Sequence, residues 1–234
     1  MPSNAVIHRV TALDLKVETR AWQFEHERRA EIDAHFDRMR REKPEIWNGR
    51  VLLGRNADFS DGRLTSDYFE TDFASFLAWR DWGFPDREVF NGFGMGALRS
   101  VDGAFVLGEM AQHTSNAGRV YFPSGTPDPN DVAGDVLDIA GSVERELEEE
   151  TGLTPADYVA EPHWDCVVVG ASVAIIRILD VGMPGDALKA RIEANLARQE
   201  HPELSGIHLV RTRTDFRASM PKFVRAFLER QFGG

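Results

Sequence analysis

The nine residues Arg145-Glu146-Leu147-Glu148-Glu149-Glu150-Thr151-Gly152-Leu153 constrain the chain more than any other stretch. Glu146, Glu149 and Glu150 stand at i, i+3 and i+4, so a helix brings their carboxylates to one face. Val143 and Leu147 form an adjacent apolar stripe that must be seated on another layer, and Arg145 is placed to pair with Glu149 one turn on. Asp138 is a suitable N-cap and Gly152 suits the left-handed conformation that ends a helix, which predicts a helix from Asp138 to Thr151. Like charges at this spacing repel by a few tenths of a kcal/mol per pair, a cost more readily explained if a divalent cation sits among them. Oxygen-only ligands at this density suit magnesium or manganese better than zinc. On charge alone the run also reads as a solvated acidic face.

The rest of the chain supplies the layers. From Gly94 onward short apolar runs alternate with helical segments, the order expected of an α/β domain. Met95–Ser100 and Phe105–Glu109 read as strands joined by a turn at Asp102-Gly103. Residues 123–135, with three prolines and two glycines, read as a loop. Asp165–Ile178 is the most strand-like segment, Asp186–Gln199 an amphipathic helix and Ile207–Val210 a short strand. A closing helix is expected with Ser219 as its cap and Pro221 in its first turn. Upstream, residues 1–20 look extended and Trp22–Glu42 reads as a surface helix. Val51–Leu53 is an apolar segment, Gly54–Gly62 a loop, Arg63–Phe69 a strand and Asp72–Trp79 an aromatic helix. A boundary near Phe84-Pro85-Asp86 divides the chain into residues 1–89 and 90–234.

The acidic segment resembles the Nudix box, whose core is Arg-Glu-aliphatic-any-Glu-Glu-any-Gly-aliphatic, and all seven specified positions match. The upstream half departs from the usual pattern: Gly125 is followed after five residues by Asp131 in place of glutamate, and thirteen residues rather than seven precede Arg145. The resemblance implies a Nudix α/β/α sandwich with a mixed sheet over residues 90–234, preceded by a small α+β leader domain over residues 1–89. It also implies that Glu146, Glu149 and Glu150 bind Mg2+ or Mn2+ for hydrolysis of a phosphoanhydride bond, with Arg145, Gly125 and Gly152 supporting them. The general base varies in this family; Glu200 and Glu203, just before the strand at Ile207, are the candidates on a distal loop. The segment Trp47-Asn48-Gly49-Arg50 and the aromatic stretch Phe73–Trp82 resemble the leader of Nudix enzymes that split UDP-sugars. That favours a nucleotide sugar such as UDP-glucose as substrate, with ADP-ribose or another nucleoside diphosphate derivative as the alternative. A Nudix-fold module that binds a nucleotide without hydrolysing it would be expected to lack one or more box glutamates. Substrate choice is expected from the leader aromatics Phe73, Phe76, Trp79 and Trp82, and from the long loop Thr126–Leu137 closing over the ligand. A homodimer is compatible with the resemblance.

A formal charge of −11 argues against a general affinity for nucleic-acid polymers or anionic membranes. The first residues lack the pattern of a secretory signal, and the lone Cys166 suits a reducing compartment, so a cytoplasmic location is expected. Gly92, Gly94 and Gly96 invite comparison with a phosphate-cradling loop, but no helix opens there, and they read as a strand entrance. No HExxH or Cys/His cluster suggests zinc, and neither Ser142 nor Ser172 has the surroundings of a nucleophile.

Overall fold

A computed structural model describes residues 5–233. The chain runs β1 (Val6–Val10), β2 (Ala12–Val17), α1 (Gln23–Glu27), α2 (Arg29–Glu42), β3 (Arg50–Asp58), β4 (Arg63–Asp72), α3 (Phe73–Asp81) and β5 (Val89–Ser100). It continues through β6 (Phe105–Met110), β7 (Val120–Tyr121), β8 (Val132–Ala133), β9 (Val136–Leu137) and α4 (Ile139–Thr151). The last elements are β10 (Tyr158–Ala160), β11 (Trp164–Val169), β12 (Ser172–Val181), α5 (Gly185–Leu196), β13 (Leu204–Val210) and α6 (Lys222–Gln231). This is a mixed α/β architecture. The strands lie in the order β1-β11-β12-β5-β3-β4-β2-β9-β8; β6 also pairs with β5 and carries β7 and β13, while β10 pairs with β12. β12 runs parallel to β5 and β2 parallel to β4, whereas the remaining pairs are antiparallel.

β5 is the hinge of the architecture, and its alternation explains why. Gly94 and Gly96 face α4: a Cβ at Gly94 would stand 2.6 Å from a methyl of Val143 and 2.9 Å from one of Ile139. The apolar stripe of the acidic helix therefore lies almost on the strand backbone. Gly94 and Gly96 thus serve close helix–strand packing inside a long strand, whereas a Cβ at Gly92 would meet the Tyr68 hydroxyl. On the opposite face Phe93 meets Phe223 of α6, ring centroids 5.3 Å apart. Helices thus cover both faces of β5. At its start β5 pairs with β3, Gly54 opposite Phe90, joining the strands on either side into one sheet.

Val51–Leu53 of β3 and Tyr68–Phe69 of β4 are buried on both faces. Val51, Leu53 and Phe69 pack in one cluster with Trp22, just ahead of α1, and with Ile32, Leu77 and Trp79 of α2 and α3, while Leu52 and Tyr68 belong to the main core. Two-sided burial is what a continuous Val-Leu-Leu run requires.

Several elements differ from expectation. The segment beginning at Gly54 is not a loop until Asp58, because β3 continues there against β4, interrupted by a register shift where Asn56 takes φ 55°. Its polar residues lie where the strand emerges to solvent, which hid the strand in the sequence. The Trp22–Glu42 helix is broken at Arg28 into α1 and α2. The loop read across residues 123–135 contains β8, which forms a hairpin with β9; Lys16 of β2 pairs with Val136. The terminal helix has Pro221, not Ser219, at its N-cap position; the Ser219 carbonyl instead accepts from the Val120 amide at 3.3 Å. No helix among the described residues is long and apolar enough to cross a membrane.

Candidate functional site

α4 begins where the Asp138 side chain accepts from the Gly141 amide at 3.0 Å and ends at Gly152, whose φ of 71° is left-handed. With Ile139, Val143 and Leu147 pressed on the sheet, rotation about the helix axis is fixed, and the glutamates differ sharply in environment. Glu150 is buried, Glu146 is mostly buried with 14% of its side chain exposed, and Glu149 is 62% exposed.

Arg145 ties the acidic face together. Its guanidinium donates to Glu146 at 2.7 Å and to Asp131 at 3.0 Å, and stands 3.6 Å from Glu149. Asp131 is itself buried and also accepts from the Ser142 hydroxyl at 3.1 Å and the Asp128 amide at 3.0 Å. A short aspartate thus joins the loop ahead of the helix to Arg145. Gly125 lies directly against the Glu146 carboxylate, where a Cβ would overlap an oxygen. Gly152 is closed in by the Asn195 side chain as well as by its backbone conformation.

Both carboxylate oxygens of Glu150 are buried and accept no hydrogen bond. Burial, followed by the charges of Glu146 and Glu203, raises its pKa well above the usual value; the Ser124 amide faces it and tempers the rise without reaching hydrogen-bond geometry. Burial likewise pushes Glu146 up to about 7, with Arg145 opposing and Glu149 and Glu203 reinforcing. Buried carboxylates without donors are costly and ask for a cation. The donor chemistry, hard oxygens only, fits a divalent cation of the magnesium type. As the side chains stand, no three Asp, Glu, His or Cys groups among the described residues converge as a metal cluster. Glu146 is turned to Arg145 instead.

The distal acids occupy different surroundings. Glu203 precedes β13, its carbonyl accepts from the Ala111 amide at 2.8 Å, and its charge is felt by Glu146, Glu150 and Tyr121. Glu200 is exposed. Between α5 and Glu203, Gln199 donates to the Glu149 carbonyl at 3.0 Å and ties this loop to the end of α4.

A cavity of about 560 Å³ opens beside the acids. Ser124, Gly125 and Thr126 form its edge on the acidic side, with Tyr121. Asn91, Phe93 and Met95 of β5, Ser172 of β12 and Phe223 of α6 line it, together with Ser115, Asn116 and Arg119. The N-terminal segment contributes Phe73, Phe76, Arg80, Asp81 and Phe84. Trp79 is wholly buried, its indole donating to the Asp86 carbonyl at 3.0 Å, and Trp82 lies under the Arg28 guanidinium at 4.9 Å; neither lines the cavity. Of the long loop only Thr126 lines it, because the Pro127 carbonyl accepts from Leu52 and the Asp135 carbonyl from Val17, holding the rest on β3 and β2.

Sequence reasoning did not identify Asn91, Phe93, Tyr121, Arg119 or Phe223. A period-two pattern, Asn91-Phe93-Met95 alternating with the glycines, was the available signal for the first two; nothing local marks the others.

No family model matches the chain, and no curated protein matches it. Among solved structures, the chain is similar to the MutT protein from Methanosarcina mazei, 20% identical over 61% of this chain and 92% of that one with a TM-score of 0.38. It is also similar to a Nudix hydrolase from M. smegmatis, RenU, 13% identical over 59% of this chain and 82% of that one, TM-score 0.38. A third is the C-terminal domain of mouse MUTYH in complex with human PCNA, 14% identical over 60% of this chain and 88% of that one, TM-score 0.34.

Proposed function

We propose that this chain is a Nudix-type hydrolase that uses a divalent cation, Mg2+ or Mn2+, to cleave a phosphoanhydride bond in a nucleoside diphosphate derivative. A nucleotide sugar such as UDP-glucose is favoured over ADP-ribose. The observation that carries this reading is the buried, donorless carboxylate of Glu150 beside Glu146, on a helix whose residues 145–153 match the Nudix box.

In this reading Glu146, Glu149 and Glu150 hold the cation. When bound, such a cation neutralises diphosphate charge and acidifies water. Arg145 orients Glu146 and Glu149, and Asp131 fixes Arg145. Glu203 takes the role of general base, accepting the water proton on its carboxylate as the water attacks phosphorus. The cavity binds the organic part of the substrate; its size and its mixed lining of aromatic rings and polar side chains suit a nucleoside-sized moiety.

Incubation of the full chain with nucleotide sugars, dinucleotides and nucleoside triphosphates under Mg2+, Mn2+ or EDTA tests the assignment. Release of nucleoside monophosphate from a nucleotide sugar is expected with metal and none with EDTA. No turnover of any substrate at saturating metal would reject hydrolysis.

A further inference from the structure

Of the polar groups in the cavity lining that the proposed chemistry does not use, Asn91 stands apart. Asn91 lines it from β5, and the side-chain oxygen of Asn91 is buried without a hydrogen-bond partner. Its backbone is fixed, since the Asn91 amide donates to the Ala171 carbonyl at 2.8 Å and the residue pairs in register with Ser172 of β12. Asn91 and Ser172 therefore stand side by side on adjacent strands, and both line the cavity. Phe93, two residues along the same face of β5, packs edge-to-face with Phe223, and Phe76 lines the cavity from the N-terminal segment. Aromatic rings around an amide that offers one acceptor and two donors make a site for a flat heterocycle with donors and acceptors on its edge. A phosphate would not use the rings, and an apolar ligand would leave the amide unsatisfied.

We infer that Asn91, with Ser172 beside it, reads the hydrogen-bonding edge of a nucleobase held among Phe76, Phe93 and Phe223, and so sets which nucleoside this cavity accepts. The inference rests on the reading of the site as one for nucleoside diphosphate derivatives. It places recognition on a strand of the catalytic sheet, while Phe76 brings the N-terminal segment in as a wall.

The test uses the full chain in EDTA, with no phosphate and no turnover, so that its outcome is independent of the metal and of hydrolysis. Uridine, cytidine, adenosine, guanosine and ribose are titrated and followed by ligand-observed NMR. At least one nucleoside is expected to bind roughly tenfold more tightly than ribose. Asn91→Leu, and the isosteric Asn91→Asp should the first variant fail to melt cooperatively, are expected to reduce the spread among the four nucleosides to about twofold. Ribose binding is expected to stay unchanged. Equal binding of every nucleoside and ribose by the unaltered chain would overturn the proposal while leaving the hydrolytic reading standing. Retention of the full spread in a folded Asn91 variant would overturn the role of Asn91. Base-selective binding by a chain that hydrolyses nothing would keep the recognition site and reject the hydrolytic reading.

Discussion

Glu146 and Glu150 stand one helical turn apart with opposite solutions to the same problem: Glu146 satisfies its charge on Arg145, and Glu150 has no donor. The unpartnered carboxylate opposes folding in the absence of a cation, because burial and the neighbouring acids Glu146, Glu203 and Glu149 all penalise its charged form. Glu150→Gln is therefore expected to raise the melting temperature of the metal-free protein while lowering kcat by roughly 10² or more, since an amide is a poorer metal ligand. Calorimetry and steady-state kinetics on one preparation check this; loss of activity together with lower stability would instead mark Glu150 as a packing residue. Glu146 gives a pH signature. Its folded pKa is raised to about 7 from 4.5, so the folded state retains a proton that the unfolded state has released. This contribution to the stability of the metal-free protein is full below pH 4.5 and is lost as pH rises through about 7. Added Mg2+ competes with that proton, and its apparent affinity is expected to strengthen between about pH 6 and 8 with proton release on binding. Titration calorimetry in two buffers of different ionisation enthalpy measures the release; a pH-independent affinity would contradict the assignment of Glu146 as a ligand.

At the scale of elements, what the sequence reveals depends on how local the determinants are. The acidic helix was legible because its cap, its apolar stripe, its three glutamates and its terminating glycine lie within fifteen residues, Asp138 to Gly152. The hairpin of β8 and β9 was not, because it is completed by β2, whose Lys16 is remote in sequence from Val136. The cavity walls were legible only in part. Phe73 and Phe76 stand out as aromatic, yet whether each faces core or cavity depends on where α3 docks; Trp79, in the same stretch, is wholly buried. The distal loop shows how a short segment places a side chain by its ends. Gln199 is held on the Glu149 carbonyl and Glu203 on the Ala111 amide, which sets Glu203 where its charge reaches Glu146 and Glu150, and leaves Glu200 exposed. Glu203→Gln is accordingly expected to lower kcat at least about tenfold and to flatten the acid limb of the pH–rate profile, while Glu200→Gln changes neither. Equal effects of the two substitutions on the profile would remove the loop from the chemistry.

Across the whole molecule, residues on either side of position 90 exchange strands. β1, from the first segment, pairs with β11 through five residues, Val6 to Val10, and its Arg9 bonds the buried Asp165 at 3.0 Å. In the other direction β9, from the loop ahead of α4, pairs with β2. The main core draws on both segments, with Val10, Leu15, Leu52, Leu64 and Tyr68 packed among residues of β5, β6, β11 and β12. The sequence offered a division near residue 90, where Pro85 and neighbouring polar residues mark a turn, because turn chemistry is local and strand exchange is not. A chain beginning at Asn91 would expose the edge of β11, leave the β8–β9 hairpin without β2 and uncover one side of the core. Removing that many buried side chains costs far more than the roughly 5–15 kcal/mol by which domains are stable. Such a chain is therefore expected to be insoluble, or to unfold without a cooperative transition. Circular dichroism melts of the shortened and full chains decide this: a cooperative transition in the shortened chain would show that residues 91–234 fold on their own. Where the shortened chain does not fold, the part played by the N-terminal segment in specificity has to be read from side chains that reach the cavity, through Phe76→Ala and Arg80→Ala in the full chain. Both are expected to raise KM for a nucleotide sugar more than they lower kcat, because Phe76 and Arg80 line the cavity and lie outside the acidic cluster.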